Sequence, residues 1–415
     1  MLAALCWMLV MALALTSYIT ICHHALQLSQ RNVSRDHGVE LAEIGTERAL
    51  WSLANKNWTG WTINGTTATL TVSGFTFDGG ATGSANITIN DYNGTSTVGP
   101  IQVTGTVTNA DGTTTTRTLS STGTAASLFP NAVAAIGSSG LVKFASAGSV
   151  DSYDSTLGDY NMSTNRSASA VVSGTSVTLT NAKIYGYVAT NGNAPSYSTR
   201  ATVTGPSTPP TKKIDTSRIG TSAYLPQFPV VATTGAGTLL PSGTVTIGTP
   251  GDTTPALYYT TNLNLTGATK ITVDGPVKLA VTGTFYIGLY GGTPQIEITS
   301  NGSLEVYVSG DIAIYAGGIK NNTTSPKKLA VYGTASLTVP DISTYTPFYG
   351  VIYFPNGTFT VGTTMTTTIY GAVVAGSVNV NNNSVIHYDT DLRTVTTGTF
   401  SGVRTPFLLS NISSN

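Results

Sequence analysis

Two stretches, DGPVKLAVTG (274–283) and NGSLEVYVSG (301–310), align without a gap, 27 residues apart. Each alternates apolar and polar residues over six positions and is bounded by Gly. Period-two alternation places one face of a strand in a core. The match runs on through TFYIGLYGG (284–292) and DIAIYAGG (311–318), and PKKLAVYG (326–333) echoes PVKLAVTG about 50 residues later. A repeat of roughly 25 residues built from short Gly-bounded strands is the pattern of a β-solenoid, whose coils bury their inner side chains only by stacking. Val, Ile, Leu and Tyr are expected inside, Thr, Asn and Ser at corners and outer faces.

Outward from the repeat, YGVIYFPNGTFTV (349–361) and YGAVVAG (370–376) read as further coils, and strands shorten from Leu128 onward. GPSTPPTKK (205–213) and YLPQFPVV (224–231) form a Pro-rich interval, read as a loop crossing the surface or a domain boundary. Before Leu128, TATLTVSGFTF (67–77), ANITIN (85–90) and PIQVTGTVT (100–108) alternate as strands. NADGT (109–113) carries an Asp-Gly hairpin signal before the return strand TTTRTLSSTGT (114–124). This predicts a small antiparallel sheet.

The first 56 residues differ in kind. Leu2 to Cys22 is apolar, 21 residues or about 31 Å of helix, the thickness of a bilayer core. Ala12-Leu13-Ala14 offers a signal-peptide cleavage site, but no basic n-region precedes it and the apolar run continues to Ile21. His23 to Lys56 contains no Pro, and Ala42, Thr46, Ala49, Leu50 and Leu53 form a helical stripe with Glu40, Glu43 and Glu47 on another face. The expectation is one retained helix, half membrane-spanning and half amphipathic.

Composition narrows the function. The 415 residues carry zero formal net charge, with only 9% charged, so nothing favours nucleic acid as a partner. Lys212-Lys213 and Lys327-Lys328 are solvated pairs rather than a basic patch. Cys6 and Cys22, about 24 Å apart on one helix, cannot bridge each other. Beyond the helix the only glutamates are Glu297 and Glu305. With Asp311 they are the nearest thing to the carboxylate pair a polysaccharide-cleaving enzyme needs. Asp151, Asp154 and Asp159, in VDSYDSTLGDYN (150–161), are the calcium candidates, with Asx-turn chemistry as the plainer reading. His387 is the only histidine outside the helix. That leaves no zinc cluster, and a Ser-His-Asp triad only with His387 as base, Asp389 lying two residues away. The triplets at Asn64, Asn86 and Asn356 are expected by chance in so Asn- and Thr-rich a chain. No cofactor is expected.

The helix, with ELAEIGTERALWSLANK (40–56) as its amphipathic half, resembles the N-terminal stem of PilX-type minor pilins of type IV pilus systems. Ser152-Tyr153-Asp154-Ser155 and His387-Tyr388-Asp389-Thr390-Asp391-Leu392 resemble the S-Y-D-S and H-Y-D-x-x-L motifs that open and close a Gly-rich β-helical domain often found after such stems. The resemblance implies an apolar half that sits in the inner membrane before assembly and among other pilin or pseudopilin subunits afterwards. It also implies a basic leader ending in Gly. None is present here, so either the start lies further upstream or the chain is given without its leader. Major pilins carry Glu at the fifth mature position; Leu5 stands here, as befits a minor component. Arg31 and Arg35 oppose export of the C-terminal side, and a basic leader would reverse that bias.

The fold expected is therefore mainly β: an N-terminal membrane-spanning and amphipathic long α-helix (1–56), a small antiparallel β-sheet (57–127), a β-solenoid of right-handed type (128–393) with a Pro-rich interruption at about 195–231, and a C-terminal tail (394–415). The function expected is structural. A pilus or secretion-filament subunit would present the solenoid at the cell surface for adhesion to carbohydrate, a host or an abiotic surface. The alternatives are a membrane-anchored β-helix carbohydrate-active enzyme and a secreted adhesin with a cleaved signal peptide.

Overall fold

A computed structural model describes residues 2–55, 57–92, 97–125, 127–136, 140–190, 193–220, 237–288, 293, 295–333, 341–395 and 407–414. The protein is mainly β, with one long N-terminal apolar helix and a small antiparallel sheet. It divides into two units: Met1–Ala126 with Arg404–Asn415, and Ser127–Val403.

In the first unit, α1 runs unbroken over Leu2–Asn55. Its side chains are exposed from Cys6 to Val33, and burial begins at Ser34. From there Ser34, Gly38, Leu41, Ala42, Gly45, Ala49, Ser52 and Leu53 are buried, a stripe at three- and four-residue steps. Thr46 and Leu50, expected on that stripe, are only half-buried, whereas Glu40, Glu43 and Glu47 face out. Small residues replace them because the helix lies against backbone. A Cβ on Gly105 would sit 2.1 Å from the Gly38 carbonyl oxygen, and one on Gly45 would sit 2.4 Å from a Val103 methyl.

The sheet comprises β1 (Thr62–Asn64), β2 (Thr67–Thr76), β3 (Thr82–Ile89), β4 (Thr97–Thr108) and β5 (Thr114–Ala125) in sequence order, all antiparallel. The β4–β5 turn is the Asp-Gly hairpin, with Gly112 at φ 82° and Asp111 accepting from the Thr113 amide at 2.9 Å. The expected C-terminal tail is instead partly a sixth strand: Phe407–Ser414 pairs antiparallel with β5. Ser127–Val403 is thus inserted, in sequence, between two neighbouring strands.

The second unit is built on parallel ladders. Pro276–Val281 pairs in register with Ser303–Val308, Phe285–Ile287 with Ile312–Ile314, and Ile271–Val273 with Ile296–Ile298. The alternation works as read: Val277, Leu279, Val281, Leu304, Val306 and Val308 are buried, and Lys278 and Glu305 lie between them. Full burial of such a side chain contributes about 1.5–3 kcal/mol. The third echo is offset. Leu329 pairs with Leu304, which pairs with Val277, not Leu279. A two-residue slip preserves which side chains face in, so the core accepts it.

The ladder does not follow chain order. Thr368–Val380 pairs with Phe348–Val361 on one side. On its other side three separate segments complete the next rung: Val385–Asp389, Val133–Ala135 and Leu141–Phe144. Ser149–Tyr153, Ala170–Gly174 and Ser176–Leu179 then add to those three, and Lys183–Thr190 adds to the first two of these. The later half of the sequence thus stacks ahead of the earlier half. The two meet in one composite rung, beside which the Leu128 amide donates to the Val395 carbonyl at 3.1 Å.

The Pro-rich interval is not an interruption where it is described. Ser196–Tyr197, Thr202–Thr204 and Ile219–Gly220 are ladder strands. The segment after Thr204 folds back on Val203, whose amide donates to the Lys213 carbonyl at 2.9 Å. Asp215 holds the hook by accepting from the hydroxyls of Thr208 and Ser217, each at 2.7 Å, and these bonds keep its carboxyl well below the usual range. A Pro-rich hook covers an edge strand and offers few amides for further pairing. YLPQFPVV (224–231) lies outside the described residues.

Candidate functional site

The two motifs, more than two hundred residues apart in sequence, are side by side. Ser149–Tyr153 pairs with Val385–Asp389 so that Asp151 faces His387, Ser152 faces Tyr388 and Tyr153 faces Asp389. Asp389 accepts from the amides of Ser155 (3.0 Å) and Asp391 (3.1 Å), capping the turn that follows it. The Tyr388 hydroxyl donates to the Phe129 carbonyl at 2.7 Å, and the Ser127 hydroxyl to that of Leu392 at 3.1 Å. These bonds lock the C-terminal strand of the unit to its first residues.

On the outer side of this seam His387 Nδ1 lies 2.5 Å from Asp151 Oδ1. The other oxygen, Oδ2, accepts from the Tyr160 hydroxyl at 2.7 Å and from Arg166 Nε at 2.8 Å. Arg166 lies over the ring of Tyr185, 4.0 Å from its centroid. Tyr349, Tyr370 and His387 occupy one column on successive rungs. Their rings are stacked, 4.4 Å between the tyrosines and 4.8 Å from Tyr370 to His387. Tyr160 closes over them, 3.8 Å from the His387 ring. Burial and the neighbouring Tyr370 push the Tyr349 phenol up to about 12. Burial, with the bond to Asp151, pushes Tyr160 up as well, so its phenol stays a proton donor at neutral pH.

Chemically this is a filled polar lock. Asp151 already receives three donors, and His387 pairs with it rather than with Asp389. Ser152, in the first motif, accepts from the amides of Ser169 (2.8 Å) and Ala170 (3.1 Å) and bonds Ser167, so its hydroxyl is engaged by those groups. Within the column Tyr370 is stacked between Tyr349 and His387. Buried Tyr153 Oη and Asp389 Oδ2 have no hydrogen-bond partner among the described residues, and burial raises the Asp389 carboxyl.

The calcium candidates do not converge. Asp151 is in the lock. Asp154 caps the turn Ser155–Leu157, accepting from Thr156, and Asp159 accepts from the Thr324 hydroxyl at 2.7 Å. No group of three or more His, Cys, Asp or Glu able to hold a metal occurs among the described residues. Of the carboxylates considered for catalysis, Glu297 is paired with Lys270, accepts from Asn322 at 2.7 Å and is held below its usual range by both. Glu305 pairs with Lys278 at 3.3 Å and accepts from the Tyr307 hydroxyl at 2.6 Å. They stand in different ladders, Glu297 on Ile296–Ile298 and Glu305 on Ser303–Val308, while Asp311 precedes Ile312–Ala316.

Tyr160, Arg166, Tyr349 and Tyr370 were not singled out from sequence. A signal existed for two of them: Tyr-Gly recurs at 349–350 and 370–371. A Cβ on Gly371 would meet the Gly350 carbonyl oxygen at 1.9 Å, so the pair marks close-packed rungs under the tyrosines.

Residues 231–395 match a family described as a domain of unknown function (DUF7305). The match includes the second motif and ends at Val395; the first motif lies outside it. No curated protein matches the chain. Among solved structures, the crystal structure of the competence-associated pilin ComZ from Thermus thermophilus is similar, at 11% identity and a TM-score of 0.21, over 92% of this chain and 98% of that one. A TM-score that low matches elements rather than a shared architecture, so the functional reading rests on the geometry.

Proposed function

We propose that this chain is a membrane-inserted, PilX-type minor pilin or pseudopilin that presents a β-solenoid, Ser127–Val403, outside the cytoplasmic membrane. The observation that carries the reading is the change of burial along α1. From Trp7 (70% exposed) to Leu28 (62%) its large apolar side chains have no protein cover, whereas from Ser34 the same helix is seated on the sheet. A continuous apolar surface of that size is disfavoured in water. A bilayer covers it before assembly, and the helices of other pilin or pseudopilin subunits cover it in a filament.

The role is structural, not catalytic. Ion pairing of Glu297 and Glu305 supports that reading, as does the filled Asp151–His387 lock. The sparsely charged, hydroxyl-rich unit serves surface contact or adhesion. A carbohydrate ligand would be held by hydrogen bonds to the unit's hydroxyls and amides.

The test is the mature N-terminus, determined by mass spectrometry on protein from native membranes and shed filaments. A retained Leu2–Asn55 helix in both fractions is the expected result. A soluble protein beginning near Leu15 would overturn the proposal and leave a secreted adhesin.

A further inference from the structure

The two faces of the small sheet differ completely. On one, Ala85, Ile87 and Val103 are buried with Ala42 and Ala49 of α1. On the other, Thr71, Asn86, Thr104 and Thr118 form a row across β2–β5, each exposed or half-buried. The rows to either side, Thr69 to Ser120 and Ser73 to Thr116, hold only Thr, Ser and Gln. The Thr69 row runs on to Thr62 of β1 and to Ser413 of the last strand. The strands β2–β5 contain a single charged residue, Arg117, and it faces the helix. It pairs with Gly105, and a Cβ on Gly38 of α1 would lie 3.1 Å from its Cγ. The open face is therefore an uncharged array of hydroxyls and amides. The ladder of the other unit instead sets Lys278, Glu297 and Glu305 on its strands.

Chemistry and spacing together select the ligand. A face without charge gives an ionic polymer or an anionic surface nothing to pair with. Hydroxyls and amides donate and accept, as sugar hydroxyls do, and threonine methyls offer small apolar spots for ring C–H groups. Adjacent strands stand about 4.8 Å apart. A pyranose in an extended β-1,4-linked chain advances by nearly one strand spacing. Such a chain, laid along the Thr69 row, meets a like side chain at each sugar. The array is also set before a ligand arrives. The Thr71 hydroxyl donates to Asn86 Oδ1 at 2.7 Å, and the Thr104 and Thr118 hydroxyls bond each other at 2.9 Å. One bond does not exhaust a hydroxyl or an amide, and side chains already held lose less entropy on binding.

We infer that the open face of this sheet binds a neutral, extended β-1,4-linked polysaccharide laid across the strands. This adds a second contact surface to the one proposed for the ladder, and it does not rest on the membrane reading of α1. A chain cleaved near Leu15 would keep the face, so the two proposals fail separately. Co-sedimentation of the full chain in detergent with microcrystalline cellulose, chitin particles and alginate beads tests it. Retention on cellulose, chitin or both is expected, with little on the anionic alginate; the particle that retains it names the source. Thr71→Val with Thr104→Val keeps shape and β-propensity and should weaken retention roughly tenfold, the factor for one or two lost hydrogen bonds. Gln102→Ala, at an exposed position, should weaken it in the same direction and serves if the double variant does not fold. Thr358→Val, at an exposed position of the ladder, should leave it unchanged. No retention on either neutral particle, equal retention on alginate, or retention that survives the face variants would overturn the inference. Loss in Thr358→Val alone would overturn it too, by moving the contact to the ladder.

Discussion

The contact of α1 with its sheet and the interior of the parallel ladder solve the same problem by opposite means. Against the sheet, the helix uses Gly38, Ala42, Gly45 and Ala49, with Gly105 and Ala85 opposite, so that backbones approach and little side chain intervenes. The ladder fills its interior with columns such as Leu279, Val306, Val331, Ile352 and Val373, one from each rung. The first interface depends on a few positions where no side chain fits. The second distributes its burial over repeated, mutually similar positions. Damage should therefore be steep and confined in one and shallow in the other.

The harshest break is expected at Gly105. Gly105→Val places side chain against the Gly38 carbonyl, which cannot yield as a flexible side chain would, and should cost about 3 kcal/mol or more. Calorimetry of the full chain should show the helix–sheet transition lowered or lost and the ladder transition unmoved. Equal loss in both would show that the units do not fold separately.

The seam comes next. Asp151→Ala strands the donors of Tyr160, Arg166 and His387, and should cost about 1–3 kcal/mol. Amide exchange should quicken in Ser149–Tyr153 and Val385–Asp389 while Ser303–Val308 keeps its protection. Unchanged exchange at the seam would mean that the lock is ornamental. Ile296→Val, inside a regular column, should cost only about 0.5–1.5 kcal/mol, read as a small drop in the ladder's Tm.

The smallest effect concerns charge. Burial raises the folded-state pKa of Asp389 above the ordinary 3.8. The folded ladder then holds this proton more tightly than the unfolded chain does. Stability on this account falls as pH climbs from the ordinary carboxyl range through the raised value. Asp389→Asn keeps the acceptor oxygen and removes the charge, so its Tm advantage over wild type should grow from nothing at pH 3 to its full size near neutrality. A constant difference across that range would show that Asp389 is not the group responsible.

Much of this was legible beforehand because β-structure writes its period locally. The 27-residue repeat is a ladder register, the Asp111-Gly112 turn is a hairpin, and the absence of Pro before Lys56 permits one helix. Other features failed for identifiable reasons. Thr46 and Leu50 were favoured for the buried stripe because apolar bulk is the usual marker of a core face, and here closeness of backbone selected Gly and Ala instead. The echo at 326–333 was aligned two residues out because identity of letters and equality of facing are different criteria. The hook at 205–215 read as an interruption because proline signals a break in a ladder without saying whether the ladder ends there.

Composition and periodicity determined, without any structure, that this protein is mainly β behind one apolar helix, and which side chains alternate between core and surface. Those are local properties, set by the two-residue period of a strand and the 3.6-residue period of a helix. Only the tertiary structure decided that the end of the ladder's sequence pairs with its beginning, and that His387 meets Asp151 rather than Asp389. Parallel pairing joins any two strands with matching inward faces, whatever their separation along the chain. Which partner is taken depends on the closure of the whole stack, which no short stretch of sequence encodes.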